Sequence, residues 1–230
     1  MNKLKHGLIT ALAGLLVLLM SSCSEKVWKS ADSFESGGKL RVAATTTMVQ
    51  DLVRVIGGDE VEIYGLMGEG IDPHSYVERP TDMTALKTAD LVFYSGLHLE
   101  EKLQENLENL EHSHAVTSWM DKSDLIIPEE KYSKYADPHV WGDPLLWSQT
   151  VSLVVETLAA KDPKNSDEYI ERGLTYLAKL VELDEWAKER SKEIPADQRV
   201  LVTSHDAFMY YARAFNFEVR AIDGLAPGDK

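Results

Sequence analysis

Ser166-Asp167-Glu168-Tyr169-Ile170-Glu171-Arg172-Gly173-Leu174-Thr175-Tyr176-Leu177-Ala178-Lys179-Leu180-Val181 opens the longest periodic segment of the chain, which runs on to about Glu193. Ile170, Leu174, Leu177 and Val181 recur at steps of four, three and four, with Glu, Lys and Arg on the remaining faces. That period predicts one amphipathic helix. At 1.5 Å per residue it would be about 40 Å long, enough to cross the full height of a small domain. So much of its surface is charged that the segment reads as a spine joining two lobes, and a helix packed within a single domain is the alternative. Ile194-Pro195 ends it.

Upstream of the spine, strand-like and helix-like runs alternate. Leu40 to Ala44, Val61 to Tyr64, Leu91 to Tyr94 and a short run near Ala115 to Thr117 read as strands. Between them, helices are expected from Thr45–Thr47 to Gly57-Gly58, over Thr81 to Thr88, and over Leu99 to Leu110 with its leucines on one face. Asp121 to Ala136 reads as loop, and Asp143-Pro144 caps a helix through Leu145, Val151 and Leu158 to about Lys161. Such alternation is the pattern of a parallel α/β sheet. Downstream, Arg199 to Thr203 reads as a buried strand, Ala207 to Phe215 as a helix and Glu218 to Ile222 as another strand. Two strands rarely make a self-sufficient sheet, so the second lobe reads as unfinished and the sequence as part of a longer protein. The expected division is a first α/β lobe over 39–163, a linking helix over 164–194 and a partial second lobe over 195–230.

The N-terminus stands apart. Lys3 and Lys5 precede an apolar run from Leu8 to Met20 that is too short to span a bilayer, which is the layout of a signal peptide over 1–22. Met20-Ser21-Ser22-Cys23 resembles a bacterial lipobox, with cleavage before Cys23 and lipidation of its thiol; an ordinary signal peptide beside a chance cysteine is the alternative. Residues 23–38 then read as a polar tether from a lipid anchor. Cys23 is the single cysteine, so no disulfide supports the fold. The formal charge of −14 argues against nucleic acid and phosphate substrates and suits cations weakly, with simple solubility as the alternative reading.

Three histidines carry the functional reading. Asp72-Pro73-His74-Ser75-Tyr76 and Asp137-Pro138-His139-Val140-Trp141 repeat one tripeptide with an aromatic two places on, and Thr203-Ser204-His205-Asp206 follows the strand after the spine. Proline stiffens both Asp-Pro-His turns, and all three imidazoles fall just past expected strands or in the loops they feed, where open α/β sheets bind ligands. Either they converge on one metal ion or each is a satisfied structural residue. Metal coordination would need a partner on each ring's other nitrogen; Asp72, Asp137 and Asp206 are candidates, or could equally cap turns. His98 would face solvent or the cleft, and His112 and His114 could trap a metal loosely, but all three read first as surface residues. Catalysis fits poorly. There is no His-Glu-x-x-His helix for a zinc hydrolase and no Gly-x-Ser-x-Gly for a serine hydrolase.

These stretches, together with Ser95-Gly96-Leu97-His98-Leu99-Glu100, make the chain resemble the TroA-like metal-binding receptor lipoproteins of bacterial ABC importers. The resemblance runs from about Lys39 to the last residue. It implies two α/β lobes joined by a rigid helix, with zinc or manganese as transported ligand between them. His74 and His139 would bind from the first lobe and His205 from the second. The family supplies a fourth, Asp ligand from the distal half of the second lobe; Asp223 and Asp229 come too early to match it. Histidine at 205 leans toward zinc over manganese. The implied protein is an extracytoplasmic monomer, membrane-anchored through Cys23, that delivers a divalent ion to an ABC permease. A stiff spine implies local loop ordering near His205 instead of domain rotation, and binding should fade below about pH 6 as imidazoles protonate. An adhesin or surface interaction lipoprotein is the competing reading.

Overall fold

The computed structural model describes residues 34, 37–128, 135–222 and 224; the expected signal peptide, Cys23 and nearly all of the tether lie outside them. Four parallel strands form the main sheet in the order β2-β1-β3-β4: β1 Leu40–Ala44, β2 Val61–Gly65, β3 Leu91–Tyr94 and β4 Ser113–Ala115. Val42 pairs with both Ile63 and Leu91, so β1 is central. Val42, Ala44 and Phe93 face helix α1 (Thr47–Gly57), whose Val49, Leu52, Val53 and Ile56 are all fully buried. Ala43, Val92 and Tyr94 face the other way, toward Leu86 of α2 (Pro80–Thr88) and Leu103 and Leu107. The alternation of one strand between two apolar layers is what parallel α/β sheets require.

Leu99 to Leu110 is not one helix. Only α3, Gln104–Glu108, is helical; 97–103 is a series of turns. Gly96, Leu97 and His98 all have positive φ (87°, 55° and 64°), which no right-handed helix can start from. The turns nevertheless bury Leu99, Leu103 and Leu107 completely, so the i, i+4 spacing is used without the helix. Gly96 has a further constraint: a Cβ there would lie 2.6 Å from Thr117 Oγ1.

The helix after the second Asp-Pro-His is divided into α4 (Pro144–Ser148) and α5 (Val151–Lys161), with Asp143 Oδ1 accepting from the amides of Leu145 and Leu146 at its N-terminus. The spine is α6, Ser166–Ser191, 26 residues and about 39 Å at helical rise. Its inward face is not the expected stripe. Ile170, Leu174 and Val181 are 44%, 62% and 46% exposed and only Leu177 of that stripe packs on the core, whereas Tyr169, Gly173, Leu180 and Asp184 are buried. The reason is local: a Cβ on Gly173 would stand 2.5 Å from Val155 Cγ2, so glycine sets how closely α6 approaches α5. Tyr169 donates to Asp162 Oδ2 at 2.9 Å. Arg172 donates to the carbonyls of Ile56 (2.7 Å) and Gly57 (3.1 Å) and pairs with Glu60, satisfying orphan acceptors at the end of α1.

After the spine, β5 (Val200–Thr203) and β6 (Glu218–Ala221) form a two-stranded parallel sheet flanking α7 (Met209–Phe215). The expected buried strand at 200–203 is half-open, with Val202 73% exposed, because one face of this sheet has no covering layer among the described residues. No described helix is long and apolar enough to cross a membrane.

Candidate metal centre

The three motif histidines come from three separate loops: His74 after β2, His139 just before the 3-10 turn Val140–Gly142, and His205 after β5. The loop after β2 carries His74. Gln50 Nε2 holds this loop to the end of β1, donating to Thr45 O (2.9 Å) and Met67 O (2.8 Å). Asp72 Oδ1 accepts from His74 N at 3.0 Å and Oδ2 from Ser75 Oγ at 2.6 Å, an Asx turn that fixes the backbone under the imidazole. Burial raises the Asp72 carboxyl pKa, but those two bonds outweigh it and hold the group below its ordinary value. Two residues past His74, the Tyr76 hydroxyl lies 2.6 Å from Asp82 Oδ2 and 3.1 Å from Leu66 O. Asp82 is fully buried and also accepts from Tyr64 and from Arg79, whose guanidinium and amide both reach it.

The second Asp-Pro-His repeats the turn. Asp137 Oδ1 accepts from His139 N at 2.9 Å and also from His139 Nδ1 at 2.8 Å. The same carboxylate therefore sets the backbone, the ring orientation and the tautomer, with Nε2 left to face the cleft. Of the three aspartates considered from the sequence, Asp72 caps, Asp137 caps and holds a ring, and Asp206 does neither. Asp206 Oδ1 is buried without a hydrogen-bond partner, and burial followed by repulsion from Asp137 raises its pKa. His205 follows β5 and precedes α7.

The three rings meet. Centroid separations are 5.2 Å for His74–His139, 5.8 Å for His74–His205 and 5.3 Å for His139–His205. One ring nitrogen from each lies within 4.8 Å of the others. Two nitrogens bound to a single tetrahedral zinc at 2.0–2.1 Å stand about 3.3 Å apart. His74 Nε2 and His139 Nε2 are 3.2 Å apart, so this pair already has the spacing of a shared ion. His74 and His139 are buried and His205 is half-buried. The cluster opens into a cleft of about 520 Å³ walled by Met48, Ile71, Trp141, Phe208 and Tyr211. Trp141 stands edge-on to His139 at 5.3 Å.

The remaining histidines among the described residues are elsewhere and are less solvated than expected. His98 stacks on Tyr135 at 3.5 Å, His112 Nε2 donates to Leu86 O at 2.9 Å, and His114 packs against Phe93. Burial lowers the His114 pKa, with His112 adding to it. Sequence reasoning missed Glu100, which is fully buried beneath the ends of β1 and β3. It accepts from Thr45 Oγ1 (2.6 Å), Ser95 N (2.7 Å) and Gly96 N (3.2 Å), and burial pushes its pKa up. The signal was present as a glycine followed four residues later by a glutamate.

A parallel α/β scaffold thus brings three imidazoles together at one cleft, one of them held by a carboxylate, a donor set suited to a divalent metal ion. Residues 42–230 match the family described as "ZnuA: Zinc-uptake complex component A periplasmic", and the chain belongs to that family. It is similar to the zinc-binding protein TroA of Treponema pallidum, with 40% identity over 192 residues, covering 82% of this chain and 61% of TroA. Similarity to the manganese-binding lipoprotein MntA of Bacillus subtilis extends over 226 residues at 35% identity, 97% of this chain and 72% of MntA. Among solved structures, the periplasmic zinc-binding TroA of Treponema pallidum superposes with a TM-score of 0.79 at 38% identity, covering 84% of this chain and 70% of that one. Fe(III)-bound YtgA of Chlamydia trachomatis gives 0.76 at 27% identity, covering 84% and 72%. The chain thus spans between about three-fifths and three-quarters of the length of these relatives.

Proposed function

We propose that this protein is an extracytoplasmic receptor that captures a divalent metal ion with His74, His139 and His205 and hands it to an ABC permease. The observation that carries the reading is the convergence of three imidazole nitrogens within 4.8 Å, from positions 65 and 66 residues apart in sequence. An all-nitrogen set favours zinc, with manganese next. Relatives named for zinc and for manganese both stand at similar distances from this chain, which fits a scaffold whose selectivity rests on geometry as well as donor type. The proposed organisation is a lobe over 39–163 holding His74 and His139, a linking helix over 164–194 and a second lobe from 195 holding His205. A lipid on Cys23 would tether a monomer to the outer side of a bacterial membrane. His139 is oriented before metal arrives, because Asp137 already holds Nδ1; capture then needs only loss of ring protons and of water from the ion.

Isothermal calorimetry with zinc and with manganese tests this. The expected result is one ion per chain, tighter for zinc, with binding abolished in His74→Ala and His139→Ala. Retention of full affinity in both variants would remove the site from consideration.

A further inference from the structure

We propose that Tyr210 is a positioning residue of the metal site, locking the segment that bears His205 onto the loop that bears His139. The proposal rests on the receptor reading above. Tyr210 lies five residues beyond His205, in α7, and is fully buried. Its hydroxyl is used twice: it donates to Asp137 O at 2.8 Å and accepts from Ile126 N at 3.1 Å. Asp137 is the residue whose carboxylate holds the His139 ring. One residue therefore receives the His139 imidazole on its side chain and the His205 segment on its backbone carbonyl.

The surroundings reinforce the lock. Arg213, one turn on, sits 5.1 Å from the Tyr210 ring centroid and donates to Asp124 O at 2.7 Å. Gly142, just past the second motif, lets α7 come close; a Cβ there would lie 3.3 Å from Tyr211 N. Burial pushes the Tyr210 hydroxyl pKa up to about 12, so it keeps its proton and its donor role throughout the neutral range. β5 and β6 offer His205 little rigidity of their own, being two strands with an open face. The segment bearing the third imidazole is thus tied, through a buried phenol, to the residue that holds the second. By linkage, an ion that ties His205 to His74 and His139 must also tighten the Tyr210 contacts.

The test compares the wild-type chain, Tyr210→Phe and Tyr169→Phe, using cobalt(II) as the probe because its visible absorption reports ligand number and geometry. Tyr169→Phe also removes one buried phenolic hydrogen bond, but to Asp162, away from the cleft. The expected result is that Tyr210→Phe binds cobalt about 10- to 100-fold more weakly, the range for lost outer partners of a metal site. Its absorption should change and its cobalt should pass faster to a chelator. Tyr169→Phe should unfold at a lower temperature while keeping the wild-type spectrum and affinity. A Tyr210→Phe chain with unchanged affinity and spectrum would overturn the proposal. A wild-type chain that binds no cobalt would overturn the receptor reading and this proposal with it. Should Tyr210→Phe not fold, amide exchange in the wild-type chain decides: metal should slow exchange at Ile126, and an unchanged rate there would overturn the lock.

Discussion

Replacing Asp82 by Asn separates the support of the first motif from its ligand. The fully buried carboxylate accepts from Tyr64 Oη (3.0 Å), Tyr76 Oη (2.6 Å), and Arg79 N (2.7 Å), Nε (3.1 Å) and Nη2 (2.8 Å). An amide turns one of the two acceptor oxygens into a donor. If that is Oδ2, the contacts to Tyr76, Arg79 N and Arg79 Nε are lost; if Oδ1, those to Tyr64 and Arg79 Nη2. Arg79 is half in solvent and can be rehydrated, so its share is small. The Arg79 backbone N–H cannot turn away, and a tyrosine hydroxyl that turns to accept from the new amide gives up a charge-assisted bond, at about 1–3 kcal/mol for each. The expected cost is about 2–4 kcal/mol, or a fall of very roughly 4–16 °C in Tm for a chain of this size. Burial raises the Asp82 pKa, but hydrogen bonds from Arg79, Tyr76 and Tyr64 outweigh it and leave the pKa below its ordinary value. A depressed carboxyl pKa stabilises the fold above the unfolded value of about 3.9 and loses that contribution as pH falls through the folded value. Wild type and Asp82→Asn should therefore differ fully at pH 7 and converge below about pH 4. Urea unfolding at both pH values measures this. A difference under about 0.5 kcal/mol at pH 7, or one that persists undiminished in acid, would refute the reasoning.

Other substitutions probe the spine and the second motif. Leu174→Ala, on the open flank of α6, should change stability by less than about 0.5 kcal/mol, while Leu180→Ala on the buried face should cost about 2–5 kcal/mol by chemical denaturation. Gly173→Ala should destabilise despite its better helix propensity, by about 1–3 kcal/mol, because the added methyl must displace Val155. Asp137→Asn keeps an acceptor for His139 but removes the negative charge; competition titration should show zinc affinity lowered about 10- to 100-fold.

Much of the scaffold was readable in the residues themselves. The runs at 40–44 and 91–94 sit where expected because strands buried on both faces need near-continuous apolar sequence. The three histidines could be grouped because two share a tripeptide and all lie past strands or in the loops they feed. What escaped reading depends on partners distant in the chain. The inward side of α6 is marked by Tyr169, Gly173 and Asp184, a hydrogen-bonded ring, a glycine and a carboxylate, while its plainest apolar stripe faces out. Periodicity detects that a helix has an apolar side but cannot see that Val155 lies opposite Gly173. The turns at 97–103 satisfy the same leucine spacing as a helix, and only the left-handed backbone from Gly96 to His98 distinguishes them. Tyr210 was unreadable for the same reason, since its two partners lie 73 and 84 residues back.

The exposed ridge of Ile170, Leu174 and Val181 has a bearing on how the molecule behaves in concentrated solution. A strongly anionic surface keeps neighbouring copies from bringing such ridges together, and that protection reaches only as far as the ionic atmosphere allows. Dissolved electrolyte shrinks that reach from about 30 Å at 0.01 M to about 3 Å at 1 M. Brine, commonly added to keep proteins apart, would here favour self-association through greasy contacts, and dilute buffer would be the kinder medium.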